Sequence, residues 1–194
     1  MRQIEPKMVA YIDKKLAGNG LWKDAMDRKD ARLLFQLAME ACVGIQEATG
    51  RNDGKMVELI QETIGGASGE PWCAALVMTC LAYAEIKCGV VSPIYATEHC
   101  QTMFNKTPKA QRVKSIPLPG AIAVWFDVGK STGHTEIVLG CDGKIMQCVG
   151  GNTSGTTKAG NADSVNREGH GCYYTVRSLK STSKRRLAGF LKPF

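Results

Sequence analysis

Cys73 stands in the stretch SGEPWCAALVMTCLAYAE, directly after Pro71 and Trp72 and at the head of an apolar run. Proline suits the first turn of a helix, where its missing N–H would be unpaired anyway. The residue before it, Glu70, is pushed out of helical geometry. A helix is therefore expected to begin at about Pro71, with Cys73 in its first turn. Unpaired amide N–H groups and the positive end of the helix dipole gather there. Both favour the thiolate, the nucleophilic form of cysteine, and the same amides can hold a developing oxyanion. Cys80 lies two turns further on, has no such advantage and reads as core. Position alone leaves Cys73 open to either reading, reactive thiol or buried small hydrophobe.

A thiolate nucleophile needs a base, usually histidine. The chain has three: His99, His134 and His170. His134 opens HTEIVLGC, a strand-like run after KSTG, so it can project from a sheet edge into a cleft. His99, in ATEHCQ, has no evident partner, and His170, in REGHG, reads as a surface turn residue. The base in turn needs an orienting group. Asp142-Gly143, between HTEIVLGC and KIMQCVGG, is a strong hairpin signal. A two-residue turn pairs Cys141 with Lys144 and sets His134 opposite Gly151. A three-residue loop, or a one-residue bulge at Gly150-Gly151, brings Asn152 across from His134. Asn152 is one candidate orienter. Glu136 alternates onto the face of His134 and is a second, with an exposed strand residue as its plain alternative.

The elements that must carry these residues divide in two. Ile4, Met8, Tyr11, Ile12 and Leu16 follow helical spacing until Gly18-Asn19-Gly20. A second helix fits residues 29–48, with Leu33, Leu34, Leu37, Ala38, Ala41 and Ile45 as its stripe. KMVELIQETIG reads as a short helix ended by Gly65-Gly66. After Gly89 strands take over: residues 121–126, 134–141 and 144–151, then CYYTVRS and RLAGFL. Residues 152–170 are polar and rich in Gly, Ser, Thr and Asn; a loop of that length is usually functional or disordered. Helices first and strands second predict an α+β fold, with N-terminal helices packed on a mostly antiparallel sheet of five to six strands.

The bulk composition agrees with a soluble globular chain: 194 residues, 44% hydrophobic, 22% charged. The formal net charge of +7 favours an anionic partner, whether nucleic acid, an acidic membrane face or a wall polymer. The eight cysteines are even in number, yet the N-terminus has no apolar core of signal-peptide length. The cysteines also fall in apolar segments, so reduced thiols in a protein made in a cytoplasm are expected. No run has the length of a membrane span. His134-Thr135-Glu136 matches the H-x-E of zinc deaminases, but P-C-x-x-C is absent and no cysteine pair has C-x-x-C spacing. No Walker loop or Rossmann fingerprint appears.

Taken in order, GEPWCAALVMTCLAYAE, PLPGAIAVWF, GHTEIVLG and GGNTS resemble the motifs of CHAP amidohydrolase/peptidase domains, within the NlpC/P60-like, papain-like group. GRNDGKMVELIQETIG and REGHGCYYTVRS look like the small CHAP lysis proteins of bacteriophages, the endolysins. The resemblance covers roughly residues 42–194 and leaves residues 1–40 as a helical extension packed on a catalytic domain at 41–194. It implies a papain-like α+β fold and hydrolysis of peptidoglycan amide bonds. It assigns Cys73 as nucleophile, His134 as base and Asn152 as orienter. Peptidoglycan is the implied partner of a monomer, with no nucleic acid and no stable membrane insertion. Such a protein would wait in the host cytoplasm until the membrane opens, then reach the wall.

The chain departs from that pattern in three places. Many CHAP domains have Glu-Gly-Asn where this chain has Gly150-Gly151-Asn152, so a glutamate is missing or supplied elsewhere. Many have Gln before the cysteine; here Trp72 supports the site in its place, and the side-chain donor of the oxyanion hole is unassigned. Some relatives bind calcium through an Asp-rich loop, but here Asn52 and Asp53 offer too few oxygens, so no metal or other cofactor is expected. Two alternatives stand beside the hydrolase: a catalytically impaired wall-binding or phage structural module, and an interbacterial amidase toxin.

Overall fold

The structure is a computed structural model and describes residues 1–158 and 169–194. Among the described residues are six α-helices and one sheet of six strands. Helix α1 (Pro6–Leu16) carries proline in its first turn and buries Met8, Ile12 and Leu16, one side chain per turn. Gly18-Asn19-Gly20, the expected end of the first helical pattern, also starts another helix. The Asn19 side chain accepts from the N–H groups of Leu21 (2.9 Å) and Trp22 (3.2 Å) and caps α2 (Gly20–Arg28). Asp30 caps α3 (Ala31–Ala41) through Leu33 N–H at 3.0 Å.

Helix α3 stops at Ala41, short of the expected residue 48, because the chain leaves it to pair with a strand. Gly44 N–H donates to Cys172 C=O (2.9 Å) and Cys172 N–H to Ile45 C=O (2.8 Å). Those partners lie on β5 (Gly171–Ser178), which is far away in sequence. After α4 (Lys55–Glu62) comes α5 (Cys73–Cys88), in which every residue except Ile86 and Lys87 is buried. A helix apolar on all sides belongs at the centre of a domain, and each Leu, Val or Met it buries contributes roughly 1.5–3 kcal/mol. Gly89, at φ 69°, ends it in the left-handed conformation. The short α6 (Cys100–Lys106) and the two-residue β1 (Arg112–Val113) are too brief to leave a periodic trace in the sequence.

The remaining strands are β2 (Ile122–Asp127), β3 (Gly133–Cys141), β4 (Ile145–Thr153) and β6 (Arg185–Leu191). With β5 and β1 they form an antiparallel sheet in the order β1-β6-β2-β3-β4-β5. The fold is α+β, as expected. Strand alternation gives the sheet two buried faces. Ile122, Val124, Ile137, Val149 and Leu191 join the helical core, which also takes in Met8, Ile12, Leu34, Phe35 and most of α5. Ala123, Trp125, Val138, Met146, Cys148 and Phe190 form a smaller cluster behind the sheet.

The Asp142-Gly143 hairpin is present but is not a two-residue turn. Asp142 Oδ1 accepts from the N–H groups of Lys144 (2.8 Å) and Ile145 (2.7 Å), and Cys141 pairs with Met146 rather than Lys144. A register shift between Val138 and Gly140 follows, so Ile137 faces Val149. No helix among the described residues is long and apolar enough to cross a membrane.

Candidate functional site

Trp72 is the N-cap of α5 and Cys73 its first helical residue. The first intrahelical bond runs from Leu76 N–H to Trp72 C=O at 2.9 Å. The amides of Cys73, Ala74 and Ala75 therefore precede the helical ladder, as the sequence suggested. The approach to Cys73 is tied down from α4: the buried Gln61 amide donates to Asn52 C=O (3.1 Å) and Glu70 C=O (2.6 Å). Cys73 lines a cleft of about 520 Å³ between residues 70–73, 98–102 and 131–133. A second hollow, lined by Ile116, Leu118, Phe190 and Phe194 among others, lies elsewhere and presents no Cys, His, Asp or Glu.

Trp125 pairs with His134 across β2 and β3, which brings the imidazole to the start of β3. His134 is buried, and its Nε2 lies 2.9 Å from Glu136 Oε1. The ring's other nitrogen is left for the thiol, and Cys73 and His134 favour each other's charged forms. Cys73 Sγ also lies 3.7 Å from Cys100 Sγ, at the start of α6. Gly133 permits this approach, since a Cβ there would lie 3.3 Å from the Cys100 Cβ and 2.3 Å from the Trp125 carbonyl oxygen.

These neighbours set the charges. The hydrogen bond from Cys100 holds the Cys73 thiol well below its ordinary value; burial opposes it, and His134 and the Thr135 backbone add to it. Burial pulls the His134 imidazole down, but its bonds and charges with Cys73 and Glu136 prevail and push it up to about 9. Burial pushes Glu136 up, and Arg177 and His134 overcome that, so its carboxyl sits far below the usual carboxylate range. At neutral pH the imidazolium, the carboxylate and the guanidinium are the favoured forms, and the thiol is biased toward the thiolate.

Glu136 is the most heavily supported of these groups. Thr175 Oγ1 donates to its Oε2 at 2.6 Å, and Arg177 Nε reaches both oxygens at 3.1 and 3.0 Å, with Nη2 closing the fork. Arg177 Nη2 also donates to Thr153 Oγ1 at 2.8 Å. Gly150 makes the space for this carboxylate: a Cβ there would lie 2.4 Å from Glu136 Cγ. The glutamate absent from β4 thus has its counterpart on β3, in room that only a glycine leaves.

Asn152 is not the partner of His134, contrary to expectation. The ladder count does carry it toward the histidine, since three steps beyond Ile137 and Val149 lie His134 and Asn152. But β4 is irregular between Gly150 and Thr153, and Asn152 takes φ 52°. Its amide turns away to Glu47 Oε1 (3.0 Å) and Asn52 Oδ1 (2.6 Å). Trp72 likewise faces away from the cleft: fully buried, it donates its indole N–H to Glu47 Oε1 at 2.8 Å and offers no donor to an oxyanion. Gly151 accommodates the indole, since a Cβ there would sit 2.6 Å from it. The adjacent glycines serve opposite faces of β4, one Glu136 and the other Trp72.

Sequence reasoning did not find Cys100, Arg177 or Glu47. Cys100 sits in a helix too short to show a period, and Arg177 and Glu47 meet their partners across 41 and 25 residues of chain. Only Arg177 left a trace, as an alternate position of CYYTVRS on the face of Thr175. Asp53 is engaged locally by Thr49 N–H (2.9 Å) and Oγ1 (2.8 Å). Among the described residues no group of three or more His, Cys, Asp or Glu converges as metal ligands would. Of the polar loop expected at 152–170, residues 159–168 lie outside the described residues.

No curated protein and no solved structure matches the chain. A protein-family model does, and its span covers Cys73, Cys100, His134 and Glu136 and ends at Asn152. Residues 65–152 match the model of the CHAP domain, a family of cysteine- and histidine-dependent amidohydrolases that takes in peptidoglycan amidases and peptidases.

Proposed function

We propose that this chain is a peptidoglycan hydrolase of the phage endolysin type, cutting a wall amide bond through an acyl-enzyme on Cys73. The observation that carries the reading is the Cys73–His134–Glu136 chain at the cleft: a thiol held low, an imidazole held high, and a carboxylate fixed by Arg177. The thiolate attacks the carbonyl carbon, and the N–H groups at the start of α5 take the developing oxyanion. His134 gives its proton to the leaving amine, then accepts one from the water that releases the acyl group. Glu136 holds the imidazolium and fixes its orientation, the role the sequence had offered to Asn152 as well.

The impaired-module alternative rested on the missing glutamate at Gly150. Glu136 beside that glycine removes its motive. The interbacterial toxin shares the same groups and differs only in setting; an adjacent immunity gene favours it, and an adjacent holin gene favours the endolysin. The helices before residue 41 are read as a packing extension, since Met8, Ile12 and Leu16 lie in the core shared with α5. The basic surface suits an anionic wall. We place the protein in the host cytoplasm until the membrane opens.

The test is clearance of purified wall by wild type and Cys73→Ala, with mass spectrometry of the released fragments to name the bond. Loss of clearance in the variant is expected; undiminished clearance overturns the reading.

A further inference from the structure

The thiol pair at the cleft has chemistry that amide hydrolysis does not use. Cys73 and Cys100 both line the cleft, on different helices, with their sulfurs 3.7 Å apart. A disulfide needs about 2.05 Å between sulfurs, so side-chain rotation with a small shift of the short α6 brings them together. The other six cysteines are placed differently. Cys42, Cys80, Cys88, Cys148 and Cys172 are buried away from this cleft, and Cys141 is half-buried near the β3–β4 turn.

We propose that Cys73 and Cys100 form a reversible oxidation site, in which a peroxide oxidises the Cys73 sulfur and Cys100 closes a disulfide over it. The inference rests on Cys73 being the reactive thiol of the function proposed above. The Cys73 thiolate attacks one oxygen of hydrogen peroxide, the O–O bond breaks, and Cys73 becomes a sulfenic acid. The departing hydroxide takes a proton and leaves as water. The Cys100 sulfur then attacks the sulfenic sulfur; the S–O bond breaks, and the hydroxyl leaves with the Cys100 proton as a second water. Two thiols are oxidised by two electrons and one peroxide is reduced to two waters. A dithiol reductant reverses the disulfide.

The surroundings favour this order of events. Cys73 is the thiol held low, and low thiols react first. Burial pushes the thiols of Cys80, Cys88, Cys148 and Cys172 up. Cys100 is also pushed up, chiefly by its bond to Cys73, which suits a resolving thiol that waits as S–H. Closing the pair occupies the nucleophile, so oxidation switches wall cutting off until a reductant reopens the disulfide, and Cys73 is protected from over-oxidation.

The experiment treats the reduced full-length protein with a small excess of hydrogen peroxide at neutral pH. Remaining thiols are blocked, and the protein is mapped by non-reducing peptide mass spectrometry. Wall clearance is followed before oxidation, after it, and after dithiothreitol. The expected result is one dominant Cys73–Cys100 linked peptide, with clearance lost and then restored. In Cys100→Ser, Cys73 should pass to sulfinic or sulfonic acid and clearance should not return. Wild-type oxidation at Cys73 without the linked peptide overturns the inference, as does recovery of Cys100→Ser as complete as that of wild type. The link is read by mass and needs no lysis. A protein that forms it but never clears wall refutes the hydrolase and keeps the pair, whereas clearance without a link refutes the pair alone.

Discussion

Two buried glutamates flank the start of α5, and their partners set them apart. Glu136 meets cations: Arg177 through two oxygens and His134 through one, with Thr175 completing the set. Among the described residues Glu47 meets neutral donors only: the Trp72 indole, the Asn152 amide and the Asn52 backbone N–H (2.8 Å). The first arrangement balances charge around an imidazole and so bears on where its proton sits. The second ties three stretches of chain to one side chain and holds the N-cap of α5 in place. Burial is common to both, so depth in the core does not distinguish a group that serves chemistry from one that serves the scaffold. The charge of the donors does.

Substitutions at the two glutamates and around them test that contrast. The largest effect is expected from Glu136→Gln, which keeps the shape and removes the charge: wall-cutting kcat/KM should fall on the order of 10²- to 10⁴-fold. A drop of only a few-fold would break the assignment of Glu136 as the histidine's partner. Gly150→Ala comes next. The added methyl enters the seat of a carboxylate pinned by three side chains. Displacing it should cost about 1–3 kcal/mol of stability and roughly 10²-fold in rate. Denaturant unfolding and kinetics on the same preparation check both.

The pH profile sharpens the comparison. His134 is raised to about 9, so its imidazolium is present below that pH and lost as pH rises through it. Wild-type activity should therefore fall on the alkaline side near pH 9, a value that belongs to the Cys73–His134 pair jointly. Glu136→Gln removes one cause of the raised value and should move that limb to lower pH, while Glu47→Gln should leave it in place. The smallest kinetic effects are expected from Glu47→Gln and Asn152→Gly. The first turns an amide N–H toward the Asn52 N–H and should cost about 1–3 kcal/mol of stability. The second keeps the positive φ accessible and loses only the side-chain bonds. If Asn152→Gly lowered activity as far as Glu136→Gln and moved the same limb, the asparagine would have to return to the histidine.

The chemistry was more legible in the sequence than its support. Proline, helix start and cysteine lie within three residues, so local rules reached the candidate nucleophile, and strand alternation placed Glu136 beside His134. The choice between Glu136 and Asn152 depended on the backbone angle of a single bulged residue, which pairing arithmetic does not contain. The second thiol and the arginine depend on which strand and helix lie alongside β3, a property of the whole sheet order. Helix α3 shows the same limit: its apolar stripe ran on to Ile45, but Gly44 and Ile45 had backbone partners on a strand more than a hundred residues away.

Gly150 has a further consequence, for how such a site can change. It and Glu136 share one volume, so the carboxylate can stand on β3 or on β4 but not on both. Moving it takes two substitutions. If the glycine changes first, two side chains compete for one seat; if the glutamate changes first, Arg177 is left facing a hole. Either intermediate is poorer than both endpoints. The two arrangements are neighbouring solutions separated by a mutational barrier, and a paired exchange, Glu136→Gly with Gly150→Glu, is the route that crosses it in one step.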